Sequence, residues 1–152
     1  IAPMPERRRA PTALKILLAE DDPVNSFLIL ELLRRRGHSV SCVASGLAAL
    51  ASYERENFDL FLTDIHMPGM DGFDTARAVR AMEQKLARRR MPIMALTADI
   101  SPGSRNACLA AGMDGFLVKP LDRERFALFA VLCEGCASPG ALLEALYENV
   151  GM

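Results

Sequence analysis

Four short apolar runs in this chain stop at residues that can do chemistry. Lys15-Ile16-Leu17-Leu18-Ala19 runs into Glu20-Asp21-Asp22. Leu60-Phe61-Leu62 runs through Thr63 into Asp64. Pro92-Ile93-Met94-Ala95-Leu96 ends at Thr97, and Gly115-Phe116-Leu117-Val118 ends at Lys119. Asp64 alone could serve as a nucleophile, a metal ligand or a helix cap, and each of the others is ordinary by itself. Together they offer three carboxylates (Glu20, Asp21, Asp64), a hydroxyl and an ammonium. Acids brought that close repel, and at least one pKa rises unless a cation intervenes. A hard divalent cation with oxygen ligands relieves this. Magnesium suits a site with few carboxylates and several waters, and manganese fits the same oxygen set. Lys119 adds a fixed positive charge. A metal, a lysine and a hydroxyl around a free carboxylate are equipped for phosphoryl transfer, with Asp64 attacking in line to give an aspartyl-phosphate.

These residues meet only if the runs are parallel strands that end on one edge. The intervening sequence supplies the helices. Asp22-Pro23 places an N-cap acid before proline at the first helical position. Val24, Phe27, Leu28, Leu32 and Leu33 follow at helical spacing, and Arg34-Arg35-Arg36 then Gly37 close the segment. Ser39–Val43 alternates as a strand, and Ser45-Gly46 opens a helix to about Glu56. Pro68-Gly69 and Asp71-Gly72 force a tight turn after Asp64. Gly72 to about Lys85 is a third helix with Phe73, Ala76, Val79 and Met82 on one face. Arg88-Arg89-Arg90 reads as a solvated loop. Ser101-Pro102 opens a fourth helix closed at Gly112, and Asp122 caps a fifth that runs to about Leu132. Strict alternation of strands and helices means an α/β fold, a doubly wound parallel sheet. A flavodoxin-like (βα)5 arrangement with strand order 2-1-3-4-5 is expected, and it puts strands 1, 3 and 4 side by side.

With 152 residues, the chain has little room for a second domain. A hydrophobic fraction of 51% supports a full core, and the net charge of −1 gives no reason to expect a nucleic-acid partner. No apolar run is long enough to span a membrane and no signal-peptide pattern is present, so a cytoplasmic location without membrane contact is expected. Residues 1–13, with Pro3, Pro5, Pro11 and Arg7-Arg8-Arg9, read as a linker or disordered arm. Residues 134–152 read as a C-terminal extension whose short helix carries Leu142, Leu143, Leu146 and Val150. Docking on the domain is its default role, and a homodimer contact stays open. Cys133 and Cys136 have CxxC spacing but lack the second ligand pair that zinc needs, and with Cys42 and Cys108 they do not suggest a disulfide framework.

The motifs Ile16-Leu17-Leu18-Ala19-Glu20-Asp21 with Pro23-Val24-Asn25, Leu62-Thr63-Asp64 with Met67-Pro68-Gly69-Met70-Asp71-Gly72, Ala95-Leu96-Thr97-Ala98 and Gly115-Phe116-Leu117-Val118-Lys119-Pro120 closely resemble the receiver domain of two-component response regulators. The resemblance covers residues 14–133. It implies a CheY-like signalling module, not an enzyme in the usual sense, with Asp64 as phosphoacceptor. It implies that Glu20, Asp21, Asp64 and the backbone carbonyl of His66 hold magnesium, and that Thr97 and Lys119 bind the phosphoryl group. Phosphorylation would draw Thr97 inward, let Phe116 rotate into the vacated space and alter the surface of the fourth helix, fifth strand and fifth helix. His66 and Asp99 sit where side chains modulate the access of water to the phospho-aspartate. Phosphodonor and acceptor would be a histidine kinase or a histidine phosphotransfer domain.

The style of the motifs looks most like receivers of hybrid sensor histidine kinases, and a first residue other than Met fits excision from one. A stand-alone response regulator is the main competitor. A phosphatase of the haloacid-dehalogenase type also uses a strand-end Asp, a Thr and a Lys, but it needs a second Asp where this chain has His66. A flavodoxin would bind phosphate after strand 1, where Glu20-Asp21-Asp22 repels it. His38, in the loop after Gly37, suggests no role.

Overall fold

The structure is a computed structural model that describes residues 13–98 and 101–119. Five strands, β1 (Lys15–Ala19), β2 (Ser39–Val43), β3 (Leu60–Asp64), β4 (Ile93–Thr97) and β5 (Gly115–Val118), alternate with four helices. These are α1 (Pro23–Arg35), α2 (Gly46–Arg55), α3 (Gly72–Lys85) and α4 (Pro102–Ala110). All pairings are parallel and the strand order is β2-β1-β3-β4-β5, as the alternation requires. The expected fifth helix, the C-terminal helix, the arm at residues 1–12, Asp99, Cys133 and Cys136 lie outside the described residues.

Strand side chains alternate between faces, and the core divides accordingly. Ile16, Leu18, Leu60, Leu62, Met94, Leu96 and Leu117 pack with Ile29 and Leu33 of α1. Leu17, Ala19, Phe61, Ile93, Ala95 and Phe116 pack with residues of α2, α3 and α4, among them Ala49, Tyr53, Ala76, Val79 and Cys108. Asp22, Ser45, Asp71 and Ser101 cap the four helices, each accepting an N–H of the first turn.

Two expectations need correction. The apolar stripe of α1 is the expected one only at its C-terminal end, where Leu33 is buried and Leu32 packs on the core. Val24 and Phe27 are 75% and 65% exposed and Leu28 is also exposed, while Ile29 and Leu33 are buried. The helix carries two apolar stripes, and periodicity alone cannot say which one faces the sheet. The arginine run is exposed as expected at Arg89 and Arg90, but Arg88 is partly buried and two of the three side chains tie the loop down. Arg88 stacks over the Tyr53 ring at 4.8 Å and donates to the carbonyls of Tyr53, Glu54 and Glu56. Arg90 donates to Asp114 Oδ1 at 2.7 Å.

His38, given no role above, is buried, and its Nδ1 accepts the Leu14 N–H at 3.0 Å just ahead of β1. Cys42, exposed on the edge strand, and Cys108, buried in α4, form no disulfide among the described residues. No helix among those residues is long and apolar enough to cross a membrane.

Candidate functional site

Glu20 follows Ile16 and Leu18 at period two, Asp64 follows Leu60 and Leu62, and Lys119 follows Leu117. All three side chains therefore belong to the face that packs on α1. The order β1-β3-β4-β5 then lines their strand ends along one edge. Lys119 Nζ stands 3.1 Å from Glu20 Oε1 and 3.2 Å from Asp64 Oδ2. Glu20, Asp21 and Asp64 each offer a carboxylate oxygen, all within 4.8 Å of one another. Glu20 and Asp64 are buried and Asp21 is exposed, so the cluster opens to solvent on one side. Thr97, 2% exposed, is tied to the lysine through the backbone, since the Lys119 N–H donates to the Thr97 carbonyl at 2.7 Å.

The charges are unevenly placed in energy. Burial pushes the Glu20 carboxyl above its usual range. The Asp22 N–H, which donates to Oε2 at 3.2 Å, and Lys119 pull it back, while the charge of Asp64 adds to the rise. Burial alone would lower Lys119, but its bond to Glu20 and the charges of Glu20 and Asp64 outweigh that and raise it.

Around Asp64 the backbone is closely fitted. The His66 N–H donates to Asp64 Oδ1 at 3.3 Å, and the His66 residue is exposed at the rim. Gly72 N donates to the Ile65 carbonyl at 2.8 Å. A Cβ at Gly72 would lie 2.5 Å from the Asp64 carbonyl oxygen and 2.8 Å from Ile65 Cα. Only glycine lets the start of α3 press against the strand end. Phe116 is buried, with the Arg105 guanidinium 5.5 Å over its ring. Val24, Phe27 and Leu28 lie on the exposed side of α1, which begins beside the acid cluster at Asp22.

Of the expected site residues, Glu20, Asp21, Asp64 and Lys119 come together, Thr97 joins through its backbone, His66 lies at the rim and Phe116 lies in the adjoining core. Asp99 is outside the described residues. Sequence reading missed the exposed apolar side of α1 and the fit of Gly72 against Asp64. The first was hidden by the double stripe. The second was signalled only by the Asp-Gly pair.

The donor set is chemically right for a divalent cation. At a magnesium–oxygen distance of about 2.1 Å, opposed ligands lie about 4.2 Å apart, and these carboxylate oxygens all lie within 4.8 Å of one another. A parallel sheet in flavodoxin-like order, with acids and a lysine at its carboxyl edge, defines a receiver-type α/β module. A family model for the response regulator receiver domain matches residues 16–129, and the chain belongs to that family. Sensor protein GacS of Pseudomonas syringae pv. syringae is 36% identical over 151 residues, 97% of this chain and 16% of that protein. The sensory/regulatory protein RpfC of Xanthomonas campestris pv. campestris is 34% identical over 119 residues, 78% of this chain and 16% of that protein. The chain thus spans about one sixth of the length of these curated relatives.

Among solved structures, the receiver domain of sensor histidine kinase PA1611 from Pseudomonas aeruginosa PAO1 has magnesium coordinated in its active-site cleft. It is 40% identical, with a TM-score of 0.70, covering 82% of this chain and 100% of that one. Chemotaxis response regulator CheY4 of Vibrio cholerae is 30% identical, with a TM-score of 0.68, covering 90% of this chain and 98% of that one.

Proposed function

We propose that Asp64 is the phosphoacceptor of a phosphorelay and that Glu20, Asp21, Asp64 and the His66 carbonyl hold magnesium. The observation that carries this reading is the convergence of the Lys119 ammonium with the buried carboxylates of Glu20 and Asp64 beside exposed Asp21. An Asp64 oxygen attacks phosphorus, the bond to the donor's leaving atom breaks, and that atom keeps the electron pair. Lys119 and the Thr97 hydroxyl hold the phosphoryl oxygens. Magnesium, when bound, supplies charge neutralisation and orientation. The chain catalyses this transfer and the later hydrolysis on itself, with His66 and Asp99 governing how water approaches. Thr97 and Phe116 relay the change to the surface of α4, β5 and the segment after it.

The donor is a histidine kinase or a histidine phosphotransfer domain. It must sit over the strand edge, and the exposed Val24, Phe27 and Leu28 offer it an apolar contact there. The likeness to GacS and RpfC supports a place in a hybrid sensor histidine kinase, with the phosphoryl chemistry in the cytoplasm. The phosphatase alternative lacks its second acid, since His66 holds that position.

The test is labelling by a small phosphodonor such as acetyl phosphate. Wild type takes up one phosphoryl group only with magnesium, and Asp64→Asn takes up none. Equal labelling of the mutant sinks the assignment. Magnesium also raises the melting temperature of wild type by mass action; a melt indifferent to magnesium excludes the acid cluster as its site.

A further inference from the structure

The peptide that joins Asp64 to Ile65 stands where the β3–β4 ladder runs out. Its N–H donates to the Leu96 carbonyl at 3.4 Å, longer than an ordinary N–H···O bond. The ladder therefore holds this peptide weakly, although the peptide carries the Asp64 carboxylate. Its carbonyl oxygen is held from the other side. Thr63 is fully buried, and its hydroxyl donates to the Asp64 carbonyl at 3.0 Å. Against the same oxygen lies the Gly72 backbone, so close that a Cβ there would overlap it. The carboxylate is held at its outer end, by the His66 N–H on Oδ1 at 3.3 Å and by Lys119 Nζ on Oδ2 at 3.2 Å. The Thr63 bond is the shortest of these hydrogen bonds.

We propose that Thr63 is a positioning residue for the Asp64 nucleophile. Its hydroxyl fixes the plane of the Asp64–Ile65 peptide beside the Asp64 Cα, and so the direction in which the carboxylate leaves the strand; the His66 N–H belongs to the next peptide, whose carbonyl accepts from Gly72 N at 2.8 Å. The inference rests on Asp64 as phosphoacceptor. A serine or threonine is required here because the donor must be short enough to turn back on the next residue's carbonyl. Valine keeps the volume and shape but donates nothing. Small displacements of a reacting group cost heavily: about 1 Å is worth on the order of a hundredfold in rate. A partial release of the peptide is accordingly expected to cost about tenfold.

The experiment compares wild type, Thr63→Val, Thr63→Ser and Asp64→Asn for phosphorylation by acetyl phosphate at saturating magnesium. Circular dichroism gives the folded fraction that normalises each rate, so loss of fold is not scored as loss of chemistry. Thr63→Val is expected to lower the maximal rate about tenfold, with little change in the half-saturating acetyl phosphate concentration. Thr63→Ser is expected to recover the rate to within about twofold, the hydroxyl being the group that acts. A Val variant as fast as wild type overturns the proposal, and so does a Ser variant as slow as Val, which would make the methyl group the one that matters. Label on Asp64→Asn instead overturns the phosphoacceptor reading beneath it, so the two failures are told apart.

Discussion

At the scale of single residues, Glu20 and Lys119 pull stability in opposite directions. Lys119 has a folded pKa above its ordinary value. Its stabilisation is fully present below the ordinary lysine pKa and is lost only as pH rises through the folded value. Glu20 is also raised, chiefly by burial. An acid raised in this way costs stability above its folded pKa, and the cost disappears as pH falls through that value to the ordinary one. At neutral pH the lysine is therefore favourable and the glutamate is not. Glu20→Gln is expected to raise the melting temperature of the metal-free protein at pH 7, with the gap to wild type closing as pH is lowered through the folded pKa of Glu20. The same change removes a metal ligand, so the rise in melting temperature on adding magnesium should shrink. A lower metal-free melting temperature would mean that the bond to Lys119 outweighs the burial of Glu20. The site thus keeps a strained acid whose natural relief is a cation.

At the scale of elements, three helices end in the same way. After α1, Gly37 N donates to Arg34 and His38 N to Leu33. After α3, Ala87 N donates to Gln84 and Arg88 N to Glu83. After α4, Gly112 N donates to Leu109 and Met113 N to Cys108. This is the Schellman pattern, which needs a left-handed residue at its turn. Gly37 and Gly112 have φ of 91° and suit it, but after α3 the position is held by Ala87 at φ 53°. A left-handed alanine is strained by about 1–2 kcal/mol, part of which glycine's extra unfolded entropy takes back. Ala87→Gly is expected to stabilise by roughly 0.5–1 kcal/mol, read from urea denaturation with an unchanged slope. A loss of stability would show that the loop, with Arg88 on Tyr53, already sets this backbone. The ends of α1 and α4 were legible as glycines after apolar periodicity. The end of α3 was not, because alanine carries no such signal.

At the scale of the molecule, the edge opposite the phosphoacceptor is tied by a buried charge network. Arg80 of α3 donates to Glu83 and Asp114 side chains and to the Met91 and Gly112 carbonyls, at 2.7–2.9 Å. Asp114 accepts in turn from Arg90 and from the Ile93 N–H, and Glu83 accepts the Met91 N–H at 2.6 Å. Asp114 is fully buried. One guanidinium thereby joins α3, the approach to β4 and the turn before β5. Arg80→Met keeps the aliphatic stem but leaves two buried carboxylates short of a partner, at a cost of about 3–5 kcal/mol. Chemical denaturation checks this, and a loss below about 1 kcal/mol would mean that Arg90 and the backbone amides suffice. Because the network lies at the far edge, the variant's labelling at Asp64 under folding conditions should stay near wild type.

The sequence by itself determined the order of strands and helices, the strand order of the sheet and the identity of the acids and the lysine at its edge. Those follow from local signals: apolar runs, capping residues, turn glycines and the alternation that forces parallel crossovers. The tertiary structure alone decided what depends on contacts between distant segments. It chose Ile29, beside the expected Leu33, over Val24 and Phe27 for the buried stripe of α1, because the phase of a helix is set by what it packs on. It turned Arg88 and Arg90 from apparent surface charge into ties between elements, and gave Arg80 the same part, since their carbonyl and carboxylate partners lie far along the chain. It also set Thr63 and Gly72 against the Asp64 carbonyl. Composition and periodicity carry no information about a backbone oxygen, and only the packing of α3 on the end of β3 brings those groups together.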